Sequence, residues 1–168
     1  MNNTKGAQLF KIGLKSDIFY HSIRLILAGV FIFASIDKIL HPQAFAQAVF
    51  DYQVLPDSLI NLVALILPWL ELLVGASLLL NRWMAGVVSI VTILMSIFVG
   101  LIFFNLARGL DISCGCFSTD SDETPMTKLI LFRDIFFLCL AFSLLILTFY
   151  KNTIKYKHQL RLYKTERR

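Results

Sequence analysis

Charge is scarce in this chain of 168 residues. Asp, Glu, Lys and Arg together supply 16% of the residues, whereas 57% are hydrophobic and 13% are aromatic. Soluble globular domains carry about 25% charged residues, so this composition excludes an ordinary soluble globule. The chain also lacks an internal repeat, a low-complexity run, a phosphate-binding loop and a metalloprotease motif. What remains is the composition of a membrane protein.

Cysteine is scarce as well, with three in the chain, but two of them are Cys114 and Cys116, separated by a single glycine. A disulfide between neighbours that close departs from relaxed geometry and should be easily reduced, which is typical of reactive cysteines. The pair are therefore the candidate catalytic residues. Two small apolar side chains in a loop remain the alternative. A zinc site is disfavoured, because it needs four ligands and no histidine lies nearby in sequence.

The hydrophobic residues are gathered into blocks. Residues 59–80, 83–106 and 129–150 each reach the roughly 20 residues that cross a bilayer as a helix. A fourth block, residues 18–40, contains Arg24 and Lys38 near its ends, where long basic side chains can reach the headgroups. The sequence therefore predicts an all-α integral membrane four-helix bundle.

This bundle, residues 18–150, follows a polar segment at residues 1–17 and precedes a basic tail at residues 151–168. We expect His41-Pro42 to end the first helix, and residues 43–52 to form a short amphipathic helix at the membrane surface. We expect the tail to lie as a helix or a disordered arm against anionic lipid rather than nucleic acid. Small residues near the turn at residues 81–82, including Gly75 and Gly86, predict close packing of the second and third spans.

The basic residues lie at the ends of the spans. Both termini and the turn at Arg82 are basic, whereas residues 41–57 hold two acids and no Lys or Arg, and residues 107–128 hold four acids against two basic residues. The positive-inside rule therefore predicts that both termini are cytoplasmic and both acidic loops extracytoplasmic. Cys114 and Cys116 would then face an oxidising compartment, where dithiol chemistry is expected.

Glu71 lies in the second span, three residues after Pro68, where a carboxylate needs a partner or a cavity. Depth counted from the helix ends favours Arg24 as the partner of Glu71, with Lys38 or Arg133 less favoured. A packing ion pair and a proton relay both remain open for it.

Lys38 and Arg133 fall at similar predicted depth near the outer surface. They could form a cationic surface beneath the cysteines and lower a thiol pKa. Local pairing with Asp37 and Asp134 is the alternative. Cys139, inside the last apolar block, is predicted to be a buried packing residue.

Four stretches together resemble the methylamine utilisation protein MauE family, a branch of the DoxX-like membrane proteins. The stretches are ASIDK at 34–38 with HP at 41–42 and Phe45, YQVLP at 52–56, LPWLE at 67–71 with Gly75, and CGCF at 114–117. They extend from the first helix to the connection before the last. The family's cysteine motif usually continues into glycine, whereas Ser118 stands here; that difference alters the turn more than the thiols.

The resemblance implies a multi-pass protein of the cell inner membrane, linked in its founding pathway to maturation of the disulfide-rich small subunit of methylamine dehydrogenase. The leading hypothesis is a thiol-disulfide redox or assembly factor for an extracytoplasmic partner. By analogy with four-helix disulfide oxidases, a membrane quinone is one candidate electron acceptor. The alternative is a non-enzymatic scaffold or small permease subunit, in which the supporting residues Arg24, Glu71, Lys38 and Arg133 only pack the bundle.

Overall fold

Five α-helices make up the part of the chain that the computed structural model describes, residues 3–109 and 128–166. They are α1 (Asn3–Leu40), α2 (Pro42–Asp51), α3 (Asp57–Leu80), α4 (Met84–Ala107) and α5 (Lys128–Glu166). These residues contain no β-strand. The all-α prediction is therefore confirmed.

Three helical segments are long and apolar enough to cross a membrane: Asp57–Leu80, Met84–Ala107 and Leu131–Ile154. They match three of the four predicted spans. The remaining span, at residues 18–40, lies in α1 and is not among these segments, so the count of four stays a prediction. The basic tail is helical as far as Glu166 and continues α5 without a break.

The chain breaks its helix at His41, as predicted, and Pro42 opens α2. Proline suits the first position of a helix, because the backbone N–H at that position has no partner within the helix and proline lacks one. Its ring also fixes the φ angle near the helical value. The predicted short helix is thus confirmed, and it packs along the first half of α3, where Gln43 and Gln47 share a cleft with Ile60 and Asn61. Together α1 and α2 run beside the whole length of α3.

At Gly75, α3 packs tightly against α1. A Cβ atom added to Gly75 would lie 2.8 Å from Ile32 Cγ1 and 3.1 Å from the Ile32 backbone nitrogen. Gly75 was expected to bring α3 close to α4, so its neighbour was predicted wrongly. At Gly86 nothing lies within 4 Å of an added Cβ, so glycine is not needed there for close packing.

The core lies where α1, α3, α4 and α5 meet, around side chains such as Leu27, Leu78, Val88 and Leu144, which are fully buried. The outer surface is also apolar: Phe33 and Leu73 are each 68% exposed. Such a surface suits lipid chains rather than water. Cys139 is exposed on it, so the expectation of a buried packing residue was wrong; the apolar run did not reveal which helix face points inward.

Candidate functional site

A buried ion pair joins α1 to α3. Lys38 Nζ donates hydrogen bonds to both carboxylate oxygens of Glu71, at 2.8 Å each. The two side chains are only 2% and 3% exposed. The rings of Phe45 and Phe98 lie 5.0 and 5.1 Å from the same Nζ, close enough for cation–π attraction. The ammonium group is therefore surrounded by one carboxylate and two aromatic faces.

This arrangement corrects the predicted partner of Glu71. Arg24 precedes Lys38 by fourteen residues, which is about 21 Å along a helix axis, and among the described residues it makes no hydrogen bond or ion pair with Glu71. Its Nε atom is buried without a hydrogen-bond partner in the described part of the chain. The depth comparison failed because it ignored the break at His41, after which α2 takes the place of α1 beside the N-terminal half of α3.

A third charged residue, Asp134 of α5, is buried to 6% exposure beside this pair. It accepts a hydrogen bond from Arg133 Nε at 3.1 Å, and the Arg133 side chain is 39% exposed. Lys38, Glu71 and Asp134 line one cavity of about 30 Å³, which is room for roughly one water molecule. Side chains from three helices thus form a compact polar site inside an apolar bundle.

The predicted cationic surface of Lys38 and Arg133 is not formed by these contacts. Lys38 is engaged by Glu71 inside the bundle, and Arg133 pairs with its neighbour Asp134, which was the alternative. Sequence reasoning had treated Asp134 only as a local partner. It missed that the same carboxylate lines the cavity of the ion pair, because facing side chains on distant helices leave no mark in the local sequence.

Asn105, near the C-terminal end of α4, is another residue that the sequence did not single out for a role. Its side chain is fully buried, and neither its amide nitrogen nor its amide oxygen has a hydrogen-bond partner within residues 3–109 and 128–166. An unsatisfied buried polar group costs about 1–3 kcal/mol. The one signal in the sequence was an asparagine within an otherwise apolar helix.

A second, larger cavity of about 330 Å³ lies between α2, α3 and α4. Phe45 and Phe98, the two rings beside Lys38, also form part of its wall. Tyr52 lines it from the segment between α2 and α3. Burial, with a smaller contribution from the nearby Asp134 carboxylate, raises the pKa of the Tyr52 phenol, so this group keeps its proton and can donate a hydrogen bond.

The two candidate catalytic residues, Cys114 and Cys116, lie outside the described residues. They belong to the connection between the end of α4 at Ala107 and the start of α5 at Lys128. Within residues 3–109 and 128–166, no group of three or more His, Cys, Asp and Glu side chains is placed to hold a metal ion.

Comparison with known proteins gives a consistent result. The family model for methylamine utilisation protein MauE matches residues 16–147. The chain is 29% identical to methylamine utilization protein MauE of Paracoccus denitrificans over 124 residues, 73% of this chain and 66% of that protein. It is 34% identical to the Methylorubrum extorquens protein of that name over 96 residues, 56% of this chain and 52% of the relative. The Paracoccus versutus protein is 31% identical over 105 residues, 62% of this chain and 56% of the relative.

The chain thus spans between about half and two thirds of the length of these relatives. No solved structure matches it.

Proposed function

Because the chain belongs to the methylamine utilisation protein MauE family, we propose that this multi-pass membrane protein is a thiol-disulfide exchange factor for an extracytoplasmic protein, with Cys114 and Cys116 as its reactive pair. The observation that carries the proposal is the position of these thiols. The two cysteines, separated by Gly115, lie in the connection between α4 and α5. Each of these helices contains a segment long and apolar enough to span a membrane.

The proposed topology has four spans, with residues 18–40 as the first. Residues 1–17 and 151–168 are cytoplasmic, and residues 18–150 form the membrane domain in the cell inner membrane. The distribution of Lys and Arg supports this orientation. In this orientation the Cys-Gly-Cys segment lies outside the cytoplasm, where disulfides persist.

The chemistry is exchange through a mixed disulfide. A thiolate of the partner attacks one sulfur of the Cys114–Cys116 disulfide, and the other sulfur leaves as a thiolate. A second partner thiolate then attacks the mixed disulfide, which leaves the partner oxidised and Cys114 and Cys116 reduced. In the reverse direction a thiolate of the pair attacks a partner disulfide. The relatives are named for methylamine utilisation, and we propose a partner that acquires its disulfides in that pathway.

The charged residues have supporting roles in this proposal. Lys38 and Glu71 hold α1 against α3. Arg133 pairs with Asp134 near the start of α5, the helix that follows the thiols. Arg24, toward the opposite end of the proposed span at residues 18–40, anchors that span at the cytoplasmic headgroups.

The proposal is tested by trapping the partner. When a thiolate of the pair attacks a partner disulfide, the other cysteine of the pair resolves the mixed disulfide, so removing that second cysteine leaves the covalent complex without its escape route. We expect that one of Cys114→Ser and Cys116→Ser, expressed at wild-type level in cells, accumulates a reducible covalent complex that mass spectrometry identifies. The double substitution should trap nothing.

Cys139→Ser is the matched control, because Cys139 lies on the exposed surface of α5 and outside the pair. It should leave both the trapping and the oxidation of the partner unchanged. If neither single substitution yields a complex, and the two thiols of the purified protein never interconvert with a disulfide, the scaffold alternative replaces the exchange factor.

A further inference from the structure

The small cavity beside the ion pair is lined by charged groups on one side and by apolar side chains on the other. Lys38, Glu71 and Asp134 form its charged part, and aromatic and aliphatic residues form the rest of its wall. Its volume is about 30 Å³. A purely apolar cavity stays dry, whereas a polar cavity of this size can hold a water molecule that finds about two to four hydrogen-bonding partners. The three charged groups therefore determine what the cavity holds.

The ammonium group of Lys38 has a hydrogen-bond donor to spare. It carries three N–H groups, and its bonds to the two carboxylate oxygens of Glu71 use at most two of them. Within the described residues, Lys38 donates a hydrogen bond only to Glu71. The rings of Phe45 and Phe98 attract its charge but provide no oxygen acceptor. At least one N–H group of an ammonium that is 2% exposed therefore needs an acceptor, because a buried donor left unpaired is costly.

The carboxylate of Asp134 is an acceptor on the opposite side of the same cavity. It lies close enough to Lys38 for Coulombic attraction, but within residues 3–109 and 128–166 no hydrogen bond joins the two side chains directly. A carboxylate has about four acceptor positions, so the bond from Arg133 leaves it able to accept others. Two polar groups that face one cavity without touching are the usual partners of a bridging water.

Other small occupants fit this cavity poorly. A metal cation would lie against the ammonium group of Lys38, which repels it, and an anion would meet the carboxylates of Glu71 and Asp134. An organic molecule exceeds the volume. Water is neutral, has the right size, and is both a donor and an acceptor of hydrogen bonds.

We infer that the small cavity is a binding site for one internal water, which accepts a hydrogen bond from Lys38 and donates one to Asp134. The water links α5 to α1, and α1 is already joined to α3 through Glu71. Asp134 is thereby a positioning residue for the buried lysine as well as the partner of Arg133. The site is independent of the proposed exchange activity, since it needs neither thiol.

Internal water is detected by radical footprinting of the purified full-length protein in lipid nanodiscs. Short X-ray pulses ionise water wherever it lies, and the hydroxyl radicals oxidise the side chains next to it. Met95 lines the cavity, and its thioether is readily oxidised to the sulfoxide. Photolysis of peroxide produces the same radicals in bulk solvent only. We expect X-rays, but not peroxide photolysis, to oxidise Met95. No X-ray oxidation of Met95, or equal oxidation by both sources, would overturn the inference.

A cavity-filling substitution tests whether the radical source is this cavity. Ala34 lines it, so Ala34→Val places two more carbon atoms inside and should abolish the X-ray oxidation of Met95. Ala141→Val is the matched control, because Ala141 is fully buried in the core but does not line the cavity. Both variants add the same volume to a packed site, and only the first displaces the water. Equal oxidation of Met95 in the two variants would contradict a water in this cavity.

Two substitutions of Asp134 test its part in holding the water. Asp134→Asn keeps an oxygen acceptor and should retain the oxidation of Met95. Asp134→Leu removes the acceptor and should lower that oxidation by about two- to tenfold, the effect of one lost hydrogen bond. Both variants remove the same charge, so a role of Asp134 through charge alone would change both equally. Equal oxidation of Met95 in both variants would show that Asp134 does not hold the water.

Thermal unfolding of each variant in nanodiscs accompanies the footprinting, and oxidation is compared among variants that unfold cooperatively. The Asp134 pair decides the question if Ala34→Val does not fold, and the alanine pair decides it if Asp134→Leu does not fold.

Discussion

At the scale of single residues, Lys38 combines three interactions that a buried cation requires. Glu71 supplies the countercharge, two aromatic rings face the ammonium group, and the lysine lies in the last turn of α1, where the helix dipole favours positive charge. Each of these offsets part of the cost of removing a charge from water. The pair is therefore expected to be stable only when both members are present.

A double-mutant cycle measures this dependence. Lys38→Met and Glu71→Gln each leave one buried group without its partner, so each should lower the free energy of unfolding in detergent by about 3–5 kcal/mol. The double substitution should cost less than the sum of the two, because no uncompensated charge remains.

The control for this cycle is Arg24→Gln, since Arg24 was the partner predicted from depth but makes no contact with Glu71. It should change stability by much less than Glu71→Gln and should be additive with it. Strict additivity between Lys38→Met and Glu71→Gln, or coupling between Arg24→Gln and Glu71→Gln, would show that Lys38 is not the partner of Glu71.

The sequence predicted that Glu71 needs a cation and ranked Lys38 below Arg24. The choice between them depends on the register of α1 against α3, which a count of residues from the helix ends does not determine. Asn105 shows a related limit: its residue type is visible in the sequence, but whether its amide finds a partner depends on side chains distant along the chain.

At the scale of helices, the register of α1 against α3 is set where Gly75 meets Ile32. Gly75→Ala introduces a methyl group 2.8 Å from Ile32 Cγ1 and 3.1 Å from a backbone nitrogen that cannot easily move. We expect it to lower the free energy of unfolding by about 1–3 kcal/mol, the usual cost of overpacking. Thermal unfolding in detergent or nanodiscs measures the change.

Gly86→Ala is the matched control, in a helix and with nothing within 4 Å of the new methyl group. Because alanine favours helix over glycine by roughly 0.5–1 kcal/mol, this variant should be unchanged or slightly more stable. A loss of stability at Gly86 equal to that at Gly75 would mean that the contact with Ile32 does not restrict this position.

The helices themselves were largely predictable. Three apolar blocks correspond to the three membrane-length segments, since the length of a hydrophobic run is a direct physical requirement of the bilayer. The helix α2 was predictable because the apolar residues of 43–52 recur at helical spacing and Pro42 separates this segment from α1. Its packing along α3 was not, because an amphipathic pattern shows which face is apolar but not whether lipid or another helix covers that face.

At the scale of the whole molecule, the proposed orientation has a direct test. After mild reduction of intact cells that express Cys139→Ser, a membrane-impermeant thiol reagent should modify Cys114 or Cys116, because both precede α5 on the proposed extracytoplasmic side. The extent of labelling before and after cell lysis is compared by mass spectrometry.

A Cys114→Ser/Cys116→Ser variant that retains Cys139 provides the background, since its remaining thiol lies on the apolar surface of α5 and a charged reagent should not reach it. Labelling of the paired thiols only after lysis would invert the topology. It would also remove the basis for an extracytoplasmic partner.

The ion pair between Lys38 and Glu71 has a consequence for how the protein is made. In the proposed four-span topology, Lys38 leaves the ribosome 33 residues before its partner, an interval of about 2 to 7 seconds at ordinary rates of translation. During that interval the lysine, in the last turn of α1, has no Glu71 beside it and stays charged by reaching toward the headgroups. We therefore expect Lys38 to become buried inside the bundle only after the ribosome has delivered α3, which carries Glu71.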